Sequence, residues 1–101
     1  MNSCAFVGNL GKDPEVRFTK TGKAVASFSI GVKREWEANG EKKEFTDWVN
    51  VVAWGKLGEY CGNNMDKGTR VIVHGRMQTR SYETADGTKK YVTEIIADFA
   101  A

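Results

Sequence analysis

The stretch KLGEYCGNNM, residues 56–65, is the part of the sequence that departs from two-residue alternation. Leu57, Tyr60, Cys61, Asn64 and Met65 recur at the spacing of one helix face. Gly68 follows where a helix would stop. Gly58 and Gly62 oppose the assignment, because a glycine costs about 1 kcal/mol in a helix interior. On both sides of this stretch the chain reads as β-strand. Ser3–Leu10, Ala24–Lys33 and Phe45–Trp54 precede it; Arg70–Tyr82 and Lys89–Phe99 follow. In Ala24–Lys33, Ala24, Ala26, Phe28, Ile30 and Val32 share one face, while Ser27, Ser29 and Lys33 share the other. Asn39-Gly40 and Asp86-Gly87 are hairpin signals. The order is β-β-β-α-β-β, an all-β chain with one short helix. It is the order of a five-stranded OB-fold barrel. An SH3-like barrel is the main rival, and a helix before the fourth strand argues against it.

A chain of 101 residues favours one domain, residues 1–101. Such a domain buries only about 60–65% of its unfolded surface. Three Trp, three Tyr and five Phe are therefore a large share of aromatic side chains for a modest core. Hydrophobic content of 41% and charged content of 28% fit a globular class. No apolar run approaches the ~18 residues of a membrane span. The start, MNSCAFVGNLGK, lacks the charged and apolar regions of a signal peptide, so the expected compartment is the cytoplasm. Cys4 and Cys61 lie in no C-x-x-C and only one histidine is present, so no metal, cofactor or redox pair is expected.

The aromatic surplus centres on TDWVNVVAWGK, residues 46–56. Val49, Val51 and Ala53 share one face of the strand; Trp48, Asn50, Val52 and Trp54 share the other. If the tryptophan face were core, Asn50 would be buried, and an unpaired buried amide costs ~1–3 kcal/mol. Burying the valine face is cheaper and leaves two indoles on an accessible face. A bulge would break this parity. Trp36 follows Ile30 and Val32 in parity but lies near the Asn39-Gly40 turn. It either rides a hairpin arm beyond the barrel or caps the barrel end.

Net charge is only +2, so an anionic partner would have to be met by a local patch. Lys67, Arg70, Arg76 and Arg80 fall in Lys67–Tyr82, which contains no acid. A solvated strand face accounts for them equally well. In the fourth strand Val71, Val73 and Met77 are expected inward with Gly75. Ile72, His74, Arg76, Gln78, Arg80 and Tyr82 are expected outward. Exposed aromatics interleaved with cations suit single-stranded nucleic acid, whose bases stack on rings and whose phosphates take cations. Enzyme function is not expected. His74 is the sole histidine and sits in a strand, and no G-x-x-x-x-G-K-[ST] or H-E-x-x-H is present. Glu41, Glu44 and Asp47 lie beside Lys42 and Lys43 and read as solvated charge.

Four stretches together resemble the bacterial single-stranded DNA-binding protein family: VGNLGKDPEVRFTKTGKAVASFSI, TDWVNVVAWGKLGEYC, KGTRVIVHGRMQTRSYE and DGTKKYVTEIIAD. GNLG alone also fits a KH loop, but here it follows a strand. The resemblance implies sequence-nonspecific binding of single-stranded DNA in replication, recombination and repair. It places stacking rings at Trp36, Trp48, Trp54 and Tyr82. Trp54 stands where the family often has Phe, and Tyr82 where many members have Trp; both keep a flat ring. Phosphate contacts map to Lys33, Arg34, Lys56, Lys67, Arg76 and Arg80. The resemblance also implies a homo-oligomer, a tetramer ahead of a dimer, assembled through the first strand at Cys4, Phe6 and Val7. That strand is apolar on both faces, as one buried on both sides would be; cover by its own chain on one face is the alternative. Val49 stands where the family often has a His that aids assembly. The family usually continues into a flexible tail with an acidic tip that recruits replication and repair enzymes. This sequence ends EIIADFAA, so either it is a piece of a longer chain or the tail is naturally absent, and recruitment through such a tip is not expected from these residues. A bacterial nucleoid or a phage or plasmid is the implied setting. A protein-interaction module with the rings as its hot spot, and an RNA binder, are the competing functions.

Overall fold

The computed structural model describes residues 1–101. Its elements are β1 (Cys4–Leu10), β2 (Glu15–Phe18), β3 (Ala24–Ala38), β4 (Glu41–Trp54), α1 (Lys56–Asn64), β5 (Arg70–Glu83) and β6 (Lys89–Ala100). Hydrogen bonding runs β1-β5-β6-β4-β3, and β3 returns to β1 through Asn9↔Gly31 and Leu10↔Ile30. Five strands thus close a barrel with one helix, as the sequence predicts. All its pairs are antiparallel except β4–β6, which meet at Val51↔Ile95 and Val52↔Ile96. The short β2 was not expected. It continues the β1 edge of β3, pairing Glu15–Phe18 with Ala24–Ser27. Four residues behind Pro14 are too few to show a period.

The core follows the alternation. Ala24, Ala26, Phe28 and Ile30 of β3, Val51 and Ala53 of β4, and Val71 and Val73 of β5 are buried. Cys61 and Met65 close the cluster from the helix side. Burial pushes the Cys61 thiol up, so it behaves as a small apolar side chain. The helix ends at Asn64, with Met65 extended at its C-cap. Gly68 is not the stop residue itself; it turns the chain into β5, and its N–H donates to Leu10 O at 2.8 Å.

The glycines that weaken the helix signal let it dock. A Cβ on Gly58 would lie 2.5 Å from the Ala53 carbonyl oxygen, and one on Gly62 would lie 2.5 Å from Val16 Cγ2. Packing overrides propensity at both positions.

Two hairpins project beyond the barrel. From Val32 to Asp47, β3 and β4 pair only with each other. This arm is about 20 Å long at strand rise. Its turn places Asn39 (φ 52°) and Gly40 (φ 77°) in the left-handed region, as a type I′ turn requires. The second arm is the outer part of β5–β6. Pairing passes from His74↔Phe99 to Gly75↔Ala97, so Asp98 is an extra residue in β6. Such a bulge bends and twists a hairpin. Met77, expected in the core, lies past it and is 48% exposed. The Asn2 side chain caps Met77 instead, donating to its carbonyl and accepting from its N–H. With both arms the molecule measures 56 × 37 × 30 Å.

Gly58→Ala sets packing against propensity. Propensity alone predicts a gain of about 1 kcal/mol. The contact with the Ala53 carbonyl predicts a loss of about 1–3 kcal/mol, read as a lower urea midpoint. A raised midpoint would refute the close helix–strand contact.

Candidate nucleic-acid interface

The outer face of β4 carries the side chains that parity assigned to it. Trp48 is 61% exposed and Trp54 43%, while Val51 and Ala53 lie inside. Val52 is the exception. It belongs to the outer face yet is buried, because it floors a groove beside β6. Asn50 is exposed, and Ser29 Oγ donates to its Oδ1 at 3.1 Å. The amide therefore escapes the burial cost.

Opposite these residues β3 presents a row of small ones. Trp48 faces Gly31, Asn50 faces Ser29 and Val52 faces Ser27. The Trp48 indole lies over the bare backbone of two glycines. A Cβ on Gly31 would come within 3.2 Å of Cη2 and Cζ3, and one on Gly11 within 2.7 Å of Cζ3. Both glycines act on the ring through space, so alternation alone does not reveal them.

The same outer face continues into β6 and β5. Val52 pairs with Ile96, and Arg80 is opposite Val92. Between Trp48 and Arg80 lies a groove of about 600 Å³, lined also by Ser27, Ser29, Asn50 and Glu94, with Lys12 at its rim. Sequence reasoning missed Lys12, which follows a turn and has no periodic signal.

The other two rings ride the arms. Trp36 is exposed on the β3–β4 arm, so the arm placement holds rather than the barrel cap. Arg34 sits between two rings there, its Cζ 5.6 Å from the Trp36 centroid and 4.8 Å from that of Phe45. Its Nε donates to Asp47 Oδ2 at 2.7 Å. Such cation–π contacts contribute about 0.5–1 kcal/mol at exposed sites. Two acids near the turn are in exposed ion pairs, Glu41 with Lys43 and Glu35 with Lys42. Tyr82 is exposed on the β5–β6 arm, opposite Lys90. Phe45 and Tyr91 are further exposed rings on the two arms that the sequence did not single out.

The expected cations do not form one cluster. Among the six, only Arg80 lines the groove. Lys33 and Arg34 lie on the β3–β4 arm, Arg76 at the root of the other, Lys56 opens α1 and Lys67 lies in the turn after it. Arg34 and Arg80 are ion-paired; Lys33, Lys56, Lys67 and Arg76 are not. Lys23, also missed, stands 5.5 Å from the centroid of Trp54.

His74 is half-buried in a chain of hydrogen bonds. Its Nδ1 meets Asp98 Oδ1 at 2.7 Å and its Nε2 meets Ser3 Oγ at 2.8 Å. These are the residue types of an acyl-transfer triad, but they stand on the flank beside Ala5 and Phe99, and none lines the groove. They tie the N-terminal segment to the bulge of β6. The first strand is divided likewise. Cys4 and Phe6, expected at an oligomer interface, are half-buried against their own core, because inward parity points them there; Val7 is exposed.

A closed five-stranded barrel with one short helix, carrying two exposed tryptophans on the outer face of β4, defines an OB-fold protein. The chain belongs to the Single-strand binding protein family, which matches it over residues 1–101. This is a binding family, and the chain is not an enzyme. It is 48% identical over 99 residues to Single-stranded DNA-binding protein 3 of Clostridium acetobutylicum, covering 97% of this chain and 67% of that one. To the single-stranded DNA-binding protein of Clostridium tetani it is 46% identical over 99 residues, with the same coverage. The fold matches a Plasmodium falciparum SSB complex with ssDNA at a TM-score of 0.89 and 29% identity, covering 100% of this chain and 91% of the other.

Gly11→Ala tests the seating of Trp48. The added methyl meets the movable end of a side chain, so the ring tilts while the barrel stands. Near-UV circular dichroism of the indole should change, with stability altered by less than about 1 kcal/mol. An unchanged indole signal would show that Gly11 does not seat the ring.

Proposed function

We propose that this chain binds single-stranded DNA with little regard to sequence. The observation that carries the proposal is the outer face of β3, β4, β6 and β5, where Trp48 and Arg80 flank a groove lined by Ser27, Ser29, Asn50 and Val52, with Lys12 set against the acids Asp13, Glu15 and the Arg80-paired Glu94. A base stacks on Trp48, others take Trp54, Trp36 and Tyr82, and phosphates take Arg80 with Lys33, Arg34, Lys56, Lys67 and Arg76. A duplex hides its base faces and does not fit such a surface. The groove floor offers hydroxyls and one amide that adapt to any base edge, which supports sequence tolerance. Residues 1–101 act as one binding unit. The names of the relatives support the same reading. The cellular role is protection of single strands during replication, recombination and repair, in the cytoplasm.

Self-association is part of the proposal. On its β3 side, β1 pairs only at Asn9 and Leu10, so Cys4–Val7 offer an open edge. Open edges pair with other strands. Ala5, Val7, Ile72 and Phe99 share the outward face beside that edge, and the last three are exposed apolar residues. A second copy on this flank leaves the groove free. Assembly then rests on Val7 and the edge backbone more than on Cys4 and Phe6; a homotetramer uses the edge and the face together.

Tryptophan fluorescence during titration with oligo-dT tests the function. Quenching is expected with the single strand and not with a duplex. Log affinity should fall with log salt at about −0.7 per phosphate neutralised. Trp48→Ala and Trp54→Ala should each cost roughly 1–3 kcal/mol of binding. A matched oligo-U competitor separates DNA from RNA preference. Absence of quenching by any single strand, with the protein folded, would leave the rings as a protein interface and overturn the proposal.

A further inference from the structure

Glu94 is the one charged residue that the fold buries, 6% exposed, although it lines the groove. A carboxylate withdrawn from water needs a partner. Arg80 supplies it: Nε donates to Glu94 Oε1 at 2.8 Å, while the Arg80 side chain stays 54% exposed. The two are diagonal neighbours on one face of the β5–β6 ladder, Arg80 opposite Val92 and Glu94 opposite Gln78.

A guanidinium carries five N–H donors in a rigid plane. With Nε held, the Nη1–Nη2 end remains, and paired donors there match two oxygens of a phosphate. No other expected phosphate ligand is held from below in this way. Lys33, Lys56 and Lys67 form no ion pair. Arg76 reaches only the neutral Gln78, at 3.0 Å. Arg34 also donates through Nε, to Asp47, but both side chains of that pair are about half exposed and water competes.

Resting on the single-strand binding proposed above, we infer that Glu94 is a positioning residue. It holds Arg80 by Nε so that the outer end of the guanidinium takes the phosphate of a nucleotide whose base lies on Trp48 across the groove. Bare charge predicts the opposite sign: an acid beside a polyanion weakens binding, and removing it strengthens binding.

The test compares Glu94→Leu, Glu94→Gln and Arg80→Ala in oligo-dT titrations over a range of salt. Glu94→Leu removes the acceptor at similar volume. It should bind about tenfold more weakly, with a salt slope smaller by about 0.7. Glu94→Gln keeps a carbonyl acceptor for Nε–H and should restore binding. In an Arg80→Ala background, Glu94→Leu should change nothing further. Tighter binding by Glu94→Leu, or an equal loss with Arg80 absent, overturns the inference. Should the leucine variant not fold, the wild-type protein still decides. The Arg80 Nε–H signal in ¹⁵N NMR should exchange slowly with solvent in free protein and persist on oligo-dT addition; rapid exchange overturns the inference. If wild-type protein fails to bind oligo-dT, the single-strand reading itself fails. If wild type binds and Glu94→Leu matches it, only the role of Glu94 falls.

Discussion

Val51 and Ala53 fill the barrel, and a strand with those residues inside must turn Trp48, Asn50, Val52 and Trp54 out. This coupling of core to surface is the constraint on which the rest depends. The burial that closes the barrel also aims the indoles. A one-residue slip in β4 would bury Asn50 and two tryptophans and expose Val49, Val51 and Ala53, so the core fixes the register of the site. The partner strand completes the arrangement. Ser27, Ser29 and Gly31 on the facing row of β3 are too small to fill the surface, which leaves a groove and a flat bed for the Trp48 ring.

Other features shape access to that face. The bulge at Asp98 interrupts the β5–β6 ladder where the hairpin leaves the barrel; beyond it Arg80 still lines the groove and Tyr82 stands farther out on the arm. The type I′ turn at Asn39-Gly40 lets the other hairpin run straight out with Trp36 and Phe45. In the proposed reading, two arms and a barrel face offer a single strand several rings to stack on. The flank with Val7, Ile72 and Phe99 lies apart from the groove, so the proposed self-association and the proposed DNA contacts need not compete for one surface.

Much of this was legible from the residues. Alternation in β3 and β4 gave the barrel interior, and the cost of burying Asn50 gave the outward tryptophans. The Asn-Gly dipeptide marked the arm. Other parts rest on tertiary contacts that no local period encodes. Gly58 and Gly62 read as helix breakers until the Ala53 carbonyl and Val16 are seen against them. Met77 has the parity of a core residue and lies opposite the buried Ile95, but it stands where β5 leaves the barrel for the arm, and alternation does not tell where the core ends. Glu94 is one of two acids in KKYVTEIIADFA, between Thr93 and Ile95, and nothing there announces its burial against Arg80. Lys12, Gly11 and Gly31 join the site because a loop and a strand meet the Trp48 ring in space. Cys4 and Phe6 illustrate the reverse case: a strand apolar on both faces fits either an oligomer interface or cover by its own chain, and the chain itself covers the face that carries these two.

The central claim is that the β4 outer face, and not the β1 flank, meets the nucleic acid. Two-dimensional NMR of the indole Nε1–H groups and the Val and Ile methyls, recorded as oligo-dT is added, tests it most directly. The account predicts large shifts of the Trp48 and Trp54 indoles, with the Val7 and Ile72 methyls unmoved. Shifts confined to Val7 and Ile72, with all three indoles unchanged, would contradict it.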